Sequence, residues 1–235
     1  MGKTNPGYRI FYQKRKVMVG KDGLFVLGFG RDAQLTQSYR ILDDHGQEKQ
    51  VLLTLKPREY NIENITGVAH KYVTPPAMIL ARIRKEAVEV RQARTGETYQ
   101  RDFFRGFDWP VTGRISGVYG SQRIYNGHPG RPHYGLDIAV PTGTPVEAPA
   151  NGVVKLAGGE LYYSGGTIII DHGFGLFSSF LHLSKVAVKE GQKINRGQII
   201  GKVGATGRVT GPHLDWRYNW FDKRLDPQLL TLSRE

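Results

Sequence analysis

Two short stretches of the 235-residue chain carry the residue types that could do chemistry. One is His133-Tyr134-Gly135-Leu136-Asp137; the other is Gly211-Pro212-His213-Leu214-Asp215. Side chains two or four apart in an extended segment point the same way, so each stretch can present two metal ligands or acid/base groups on one face. A third candidate, His182 in Phe180-Leu181-His182-Leu183-Ser184, lies between them. Five such groups are what hydrolysis at a single zinc requires: three ligands, an open position for water, and partners for the developing charge. Taken singly they are ordinary. His133 and Asp137 can pair with each other, and a histidine in an apolar run is more often a satisfied core residue. Their joint occurrence among glycine-rich loops raises them above that.

The elements that must position these groups read as mostly β. Arg9-Ile10-Phe11-Tyr12, Lys16-Val17-Met18-Val19, Leu24-Phe25-Val26-Leu27 and Val51-Leu52-Leu53-Thr54-Leu55 are short β-branched or aromatic runs separated by turns such as Gly20-Lys21-Asp22-Gly23. They predict a small N-terminal β-sandwich over residues 5–72. Gly28-Phe29-Gly30-Arg31-Asp32-Ala33 fits a loose dinucleotide fingerprint, but no helix or βαβ unit follows, so it reads as a turn. A connecting helix and linker are expected over 74–105. Thr74 can cap the helix ahead of Pro75-Pro76, Leu80, Ile83, Ala87 and Val90 form an apolar stripe, and Arg82/Glu86 and Lys85/Glu89 are opposite charges four apart. The helix is expected to pack between the domains. Residues 106–235 predict a β-rich C-terminal domain of short apolar runs. Its turns are expected at Asn151-Gly152, Gly158-Gly159 and Asp171-His172-Gly173, with His172 marking a hairpin. His128 lies in a Gly/Pro loop near the candidate site, and His45 and His70 read as incidental.

Composition narrows the classes. Hydrophobic residues make up 39% and the mean hydropathy is -0.40, a balance that supports a core. No window approaches the apolar length of a membrane span. No signal-peptide pattern follows Met1-Gly2-Lys3, and the expectation is that a secretory leader has been removed. The absence of cysteine excludes disulfides, thiolate ligands and a Cys nucleophile. No Gly-x-Ser-x-Gly elbow occurs, which disfavours serine chemistry. The net charge of +12 suits anionic partners or simply a solvated basic face. Residues 1–105 hold 19 Lys+Arg against 11 Asp+Glu, so most of the excess lies outside the histidine-bearing half.

Residues 109–230 resemble the lysostaphin/LytM-type zinc endopeptidases. The resemblance rests on Trp109-Pro110-Val111-Thr112-Gly113-Arg114-Ile115-Ser116, on His133…Asp137 followed by Ile138-Ala139-Val140-Pro141-Thr142-Gly143-Thr144-Pro145-Val146, and on Ala148-Pro149-Ala150-Asn151-Gly152-Val153-Val154. It continues through Ser179-Phe180-Leu181-His182-Leu183-Ser184, Gly191-Gln192, Gly197-Gln198-Ile199-Ile200-Gly201 and Thr206-Gly207…Thr210-Gly211-Pro212-His213-Leu214. It implies that the C-terminal domain is a LytM-like metallopeptidase. It implies one zinc ion per chain with His133 and Asp137 as ligands, and catalytic roles for His182 and His213. The family's terminal motif is His-x-His, whose second histidine is the third ligand; here the position is Asp215. Substitution of one ligand for another is the expected reading, because a carboxylate oxygen reaches about as far from the backbone as Nδ1 and Asp is a competent zinc ligand. A zinc site of one His and two Asp is formally neutral, which predicts weaker acidification of bound water.

The resemblance implies a peptidoglycan substrate, with cleavage of cross-links or stem peptides in the periplasm or outside the cell. The alternative is a catalytically degenerate LytM-like domain that binds cell wall or regulates another hydrolase. A wall-associated protein partner through the N-terminal domain is a further expectation. Nucleic-acid binding is not expected, because the basic and aromatic residues form no recognised motif.

Overall fold

The computed structural model describes residues 1–65, 77–125 and 127–232. It is mostly β with one α-helix among the described residues. The centre is a ten-stranded sheet. Its main path runs Lys193–Ile194, Gly152–Leu161, Gly165–Gly173, Leu176–Val186, Leu214–Trp220, Leu136–Ala139, Arg114–Gly117, with every neighbouring pair antiparallel. A ribbon of Pro145–Glu147 and Ile199–Val203 joins at Leu176–Val186, and Lys223–Leu225 returns as a hairpin on Leu214–Trp220.

The Leu214–Trp220 strand sorts its residues between two faces. Leu214, Trp216, Tyr218 and Trp220 are buried in the main core with Phe180, Leu176, Leu136 and Ile138. Alternation then sends Asp215 and Arg217 to the other face, and His213 just before the strand follows the same parity. The N-terminal strands add to that one core. Arg9–Tyr12, Arg15–Val17, Thr36–Leu42 and Glu48–Thr54 form an antiparallel sheet, and Ile10, Tyr12, Val17, Phe25 and Val26 bury with Trp220 and Phe221.

The helix runs Ala77–Gln92. Thr74, the expected cap, lies outside the described residues, as does His70. The helix packs on the C-terminal sheet rather than between domains. Val90 and Ala93 meet Leu156, Ile169 and Phe177 on the face that carries the candidate site. Both predicted ion pairs form, Arg82–Glu86 at 2.6 Å and Lys85–Glu89 at 3.9 Å.

Two turn expectations are corrected. Gly158-Gly159 lies inside the Gly152–Leu161 strand, and Asp171-His172-Gly173 ends the Gly165–Gly173 strand. His172 is fully buried, with Nδ1 2.8 Å from the Asn151 carbonyl and Nε2 2.7 Å from Ser178 Oγ. Short polar residues and glycines looked like turn punctuation; two-sided burial overrides that signal for Asp171-His172-Gly173, and ladder pairing of Gly158 with Thr167 overrides it for Gly158-Gly159.

Among the described residues no helix is long and apolar enough to cross a membrane.

Candidate metal centre

The five sequence candidates converge. Asp137 and Asp215 are direct cross-strand partners. His133 sits on the loop before Leu136–Ala139, and its backbone is clamped: its N–H donates to the Ser121 carbonyl at 2.7 Å and its carbonyl accepts from Gly120 N–H at 2.8 Å. That clamp is tied to the N-terminal region. Arg31 Nε donates to the Gly120 carbonyl at 2.9 Å, and Gln122 N–H donates to the Asn61 carbonyl at 2.9 Å. Ile62–Ile65 then pairs in parallel with Gln122–Tyr125.

His133 Nε2 stands 3.2 Å from Asp137 Oδ1. Both atoms are buried and neither has a hydrogen-bond partner. One donor atom each from His133, Asp137 and Asp215 lies within 4.8 Å of the others. Unpartnered buried polar atoms are costly, and a cation bound between them removes that cost. Ligands at about 2.0–2.2 Å from a tetrahedral zinc lie a little over 3 Å apart, which is the separation found for His133 and Asp137. Glycine makes the room. A Cβ on Gly117 would meet Asp137 Oδ2 at 2.3 Å, and one on Gly135 would meet Asp215 Oδ1 at 2.2 Å. The residues present therefore fit a zinc ion.

His182 and His213 flank the carboxylates, with ring centroids 4.9 Å apart. His182 Nε2 is 3.9 Å from Asp215 Oδ2, and His213 Nε2 is 3.8 Å from Asp137 Oδ1. Each ring is oriented by its other nitrogen. His182 Nδ1–H donates to the Thr206 carbonyl and His213 Nδ1–H to the Gly211 carbonyl, both at 2.9 Å. A carbonyl only accepts, so in the neutral rings both Nε2 atoms face the site as acceptors. His182 holds a left-handed backbone at φ 65°, a strained conformation for a non-glycine residue of the kind found at functional sites. Burial pushes its pKa down, against the opposing pull of Asp215.

The sequence reading missed the arginines behind the carboxylates. Arg217 Nε donates to Asp215 Oδ1 at 2.8 Å and Oδ2 at 3.1 Å, and its Nη2 also bonds Oδ2. Burial alone would raise the Asp215 pKa, but the charge and hydrogen bonds of Arg217 outweigh it and hold the carboxyl below its ordinary value. Arg94, just past the helix, donates to Ser179 Oγ at 3.0 Å on the same face. Burial lowers its pKa, and Arg224 and Arg217 lower it further. The i, i+2 spacing from Asp215 to Arg217 was the available signal. The approach of Arg94 depends on the fold. The side chain of His128, expected near the site, lies outside the described residues.

Residues 131–227 match the model of Peptidase family M23. Among curated proteins, the chain is 43% identical over 129 residues to the peptidoglycan DD-endopeptidase ShyA of Vibrio cholerae, covering 52% of this chain and 28% of that protein. It is 42% identical over 119 residues to the DD-carboxypeptidase/endopeptidase Mpg of Neisseria meningitidis, covering 51% and 27%. The chain thus spans roughly a quarter of the length of these relatives. A crystal structure described as a peptidase M23 from Pseudomonas aeruginosa aligns with 97% of this chain and 89% of its own, at 34% identity and a TM-score of 0.75. The C-terminal half and the N-terminal sheet are therefore shared together, and the chain belongs to peptidase family M23.

Proposed function

We propose that the chain is a zinc-dependent endopeptidase that cleaves the peptide cross-links or stem peptides of peptidoglycan in the periplasm or outside the cell. The observation that carries the zinc reading is the pair of orphaned buried atoms, His133 Nε2 and Asp137 Oδ1, facing each other at 3.2 Å. The substrate class is supported by relatives named as peptidoglycan DD-endopeptidase and as DD-carboxypeptidase/endopeptidase.

His133, Asp137 and Asp215 would hold the metal. Zinc, when bound, supplies a Lewis acid for the scissile carbonyl and an acidified water. The chain's own residues then handle protons and orientation. His182 and His213 each aim an Nε2 acceptor at the site, so either ring can take a proton from a water between them. Once protonated, that ring becomes a donor to the charge that builds on the substrate oxygen or leaving amine. The carbonyls of Thr206 and Gly211 keep the rings in place throughout.

A separate cleft of about 1220 Å³, which shares no lining residue with this centre, lies between the N-terminal strands and the C-terminal sheet. Arg9, Lys14, Lys16 and Lys21 line it together with Tyr8 and Trp220. We assign it the contact with anionic wall polymer.

The second reading is a non-catalytic wall-binding or regulatory module, in which the bond from Arg217 to both oxygens of Asp215 stands in for a metal. Digestion of purified sacculi separates the two. The enzyme releases muropeptides and loses that release in His213→Ala; the module binds sacculi and leaves them intact.

A further inference from the structure

The interaction of Arg217 with Asp215 is the feature that the metal-ligand reading leaves unused. We infer that Arg217 is a positioning residue of the metal site: it fixes the Asp215 carboxylate and returns the positive charge that a second carboxylate ligand removes. The inference rests on the zinc reading above.

His213, Asp215 and Arg217 share one face of a single strand by their i, i+2 spacing. The Arg217 guanidinium engages both Asp215 oxygens in a fork that a lysine could not reproduce. The carboxylate so held is buried, 3% exposed at the side chain, and its direct cross-strand neighbour is a second carboxylate, Asp137. Like charges directly opposed across strands repel, and a fixed cation on the far side of Asp215 relieves that repulsion.

A zinc dication with neutral His133, Asp137 and Asp215 sums to zero, and a neutral centre acidifies water less than a positive one. Arg217 adds one positive charge in contact with a ligand. Arg94 and Arg224 stand behind it, bonded to Ser179 Oγ at 3.0 Å and Asn219 Oδ1 at 3.5 Å. Arg224 forms no ion pair among the described residues, and its charge acts on Asp215. Asp215 and Arg217 thus act as one unit. A histidine at 215 would leave the Arg217 charge facing the metal with no carboxylate between them.

The test measures zinc affinity of the full chain by competition with a chromogenic chelator. The variants are Asp215→His, Arg217→Gln, Arg217→Lys and the double change Asp215→His with Arg217→Gln, with folding checked by circular dichroism. Asp215→His alone should weaken zinc binding by about ten-fold or more, and adding Arg217→Gln should recover that loss. In the Asp215 background, Arg217→Gln should move the acid limb of the kcat/KM profile to higher pH, while Arg217→Lys keeps it near the native position. Zinc binding by Asp215→His as tight as the native chain's, with Arg217 in place, overturns the inference even if Arg217→Gln fails to fold. An acid limb unmoved in a folded Arg217→Gln also overturns it. Zinc absent from the native chain at every concentration defeats the zinc reading itself, and the two failures are thereby told apart.

Discussion

Asp137 and Asp215 face each other directly across two antiparallel strands, with Gly117 on the far side of Asp137 giving its carboxylate space. Opposed carboxylates in a sheet destabilise it by a fraction of a kcal/mol to about 1 kcal/mol unless a cation intervenes. Arg217 relieves only part of that repulsion, so in chelator Asp137→Asn should raise the melting temperature by about 1–3 °C for a chain of this size. Zinc should raise the native melting temperature and leave that of the variant nearly unchanged. Differential scanning calorimetry with and without zinc reads both effects. A variant that melts lower than the native chain in chelator would contradict the repulsion argument.

The two cradle glycines give a steric prediction. Gly135→Ala places a methyl 2.2 Å from Asp215 Oδ1, and Gly117→Ala one 2.3 Å from Asp137 Oδ2. Each should cut zinc affinity by about ten-fold or more, because a displaced ligand loses coordination geometry. Gly143→Ala serves as a control, since nothing stands within 4 Å of a Cβ there, although its φ of 92° makes it a stability control rather than a silent one. Equilibrium dialysis against zinc measures all three.

His182→Ala and His213→Ala should each lower kcat by about 10²–10⁴-fold while leaving zinc bound, as expected for groups that move protons rather than hold the metal. Metal content and turnover of a defined cross-linked peptide, measured on the same preparations, separate the roles. Loss of zinc in either variant would reassign that histidine as a ligand.

Stability should depend on pH through His172. Burial pushes its pKa from 6.5 down to about 4. Between these values the unfolded chain binds the proton and the folded chain does not. The stability is thus complete above pH 6.5 and is lost as the pH falls toward 4. The difference amounts to about 2 kcal/mol between pH 7 and pH 5. Urea denaturation at the two pH values measures it, and His172→Gln should remove that part of the dependence. Equal pH dependence in the variant would place the effect elsewhere.

Replacing Lys14, Lys16 and Lys21 with Glu reverses charge along the basic cleft. Retention on sacculi at low salt should fall, with no change in cleavage of a short soluble peptide. A matching fall in peptide cleavage would tie the cleft to catalysis instead.

Much of the site was legible because its logic is local. Strand parity groups His213 with Asp215, and the i, i+4 spacing of His133 and Asp137 puts both at one edge of the site, where the loop before Leu136–Ala139 brings their donor atoms to 3.2 Å. The three pieces meet through non-local pairing, Asp137 with Asp215 and Leu181 with Asp215, which only the resemblance could anticipate. The mostly β architecture was readable from short apolar runs. His172 was misread because a polar Asp-His-Gly triplet looks like a turn, whereas its strand is buried on both faces and the ring finds partners in Asn151 and Ser178. Arg217 was visible in the sequence, but its role depends on Asp215 being buried, which spacing does not reveal. The Thr36–Leu42 strand was passed over because Thr36, Gln37, Ser38 and Arg40 leave it few apolar residues and none of its residues is fully buried, which weakens the apolar signal.

Zinc binding by the full native chain, set beside that of Asp215→Asn, decides whether the Asp215 carboxylate completes a metal site. One zinc ion per native chain and an at least ten-fold weaker site in the variant are expected, because Asn keeps the shape of the side chain but not its charge. A native chain that takes up no zinc, or a variant that binds it as tightly, would contradict such a site.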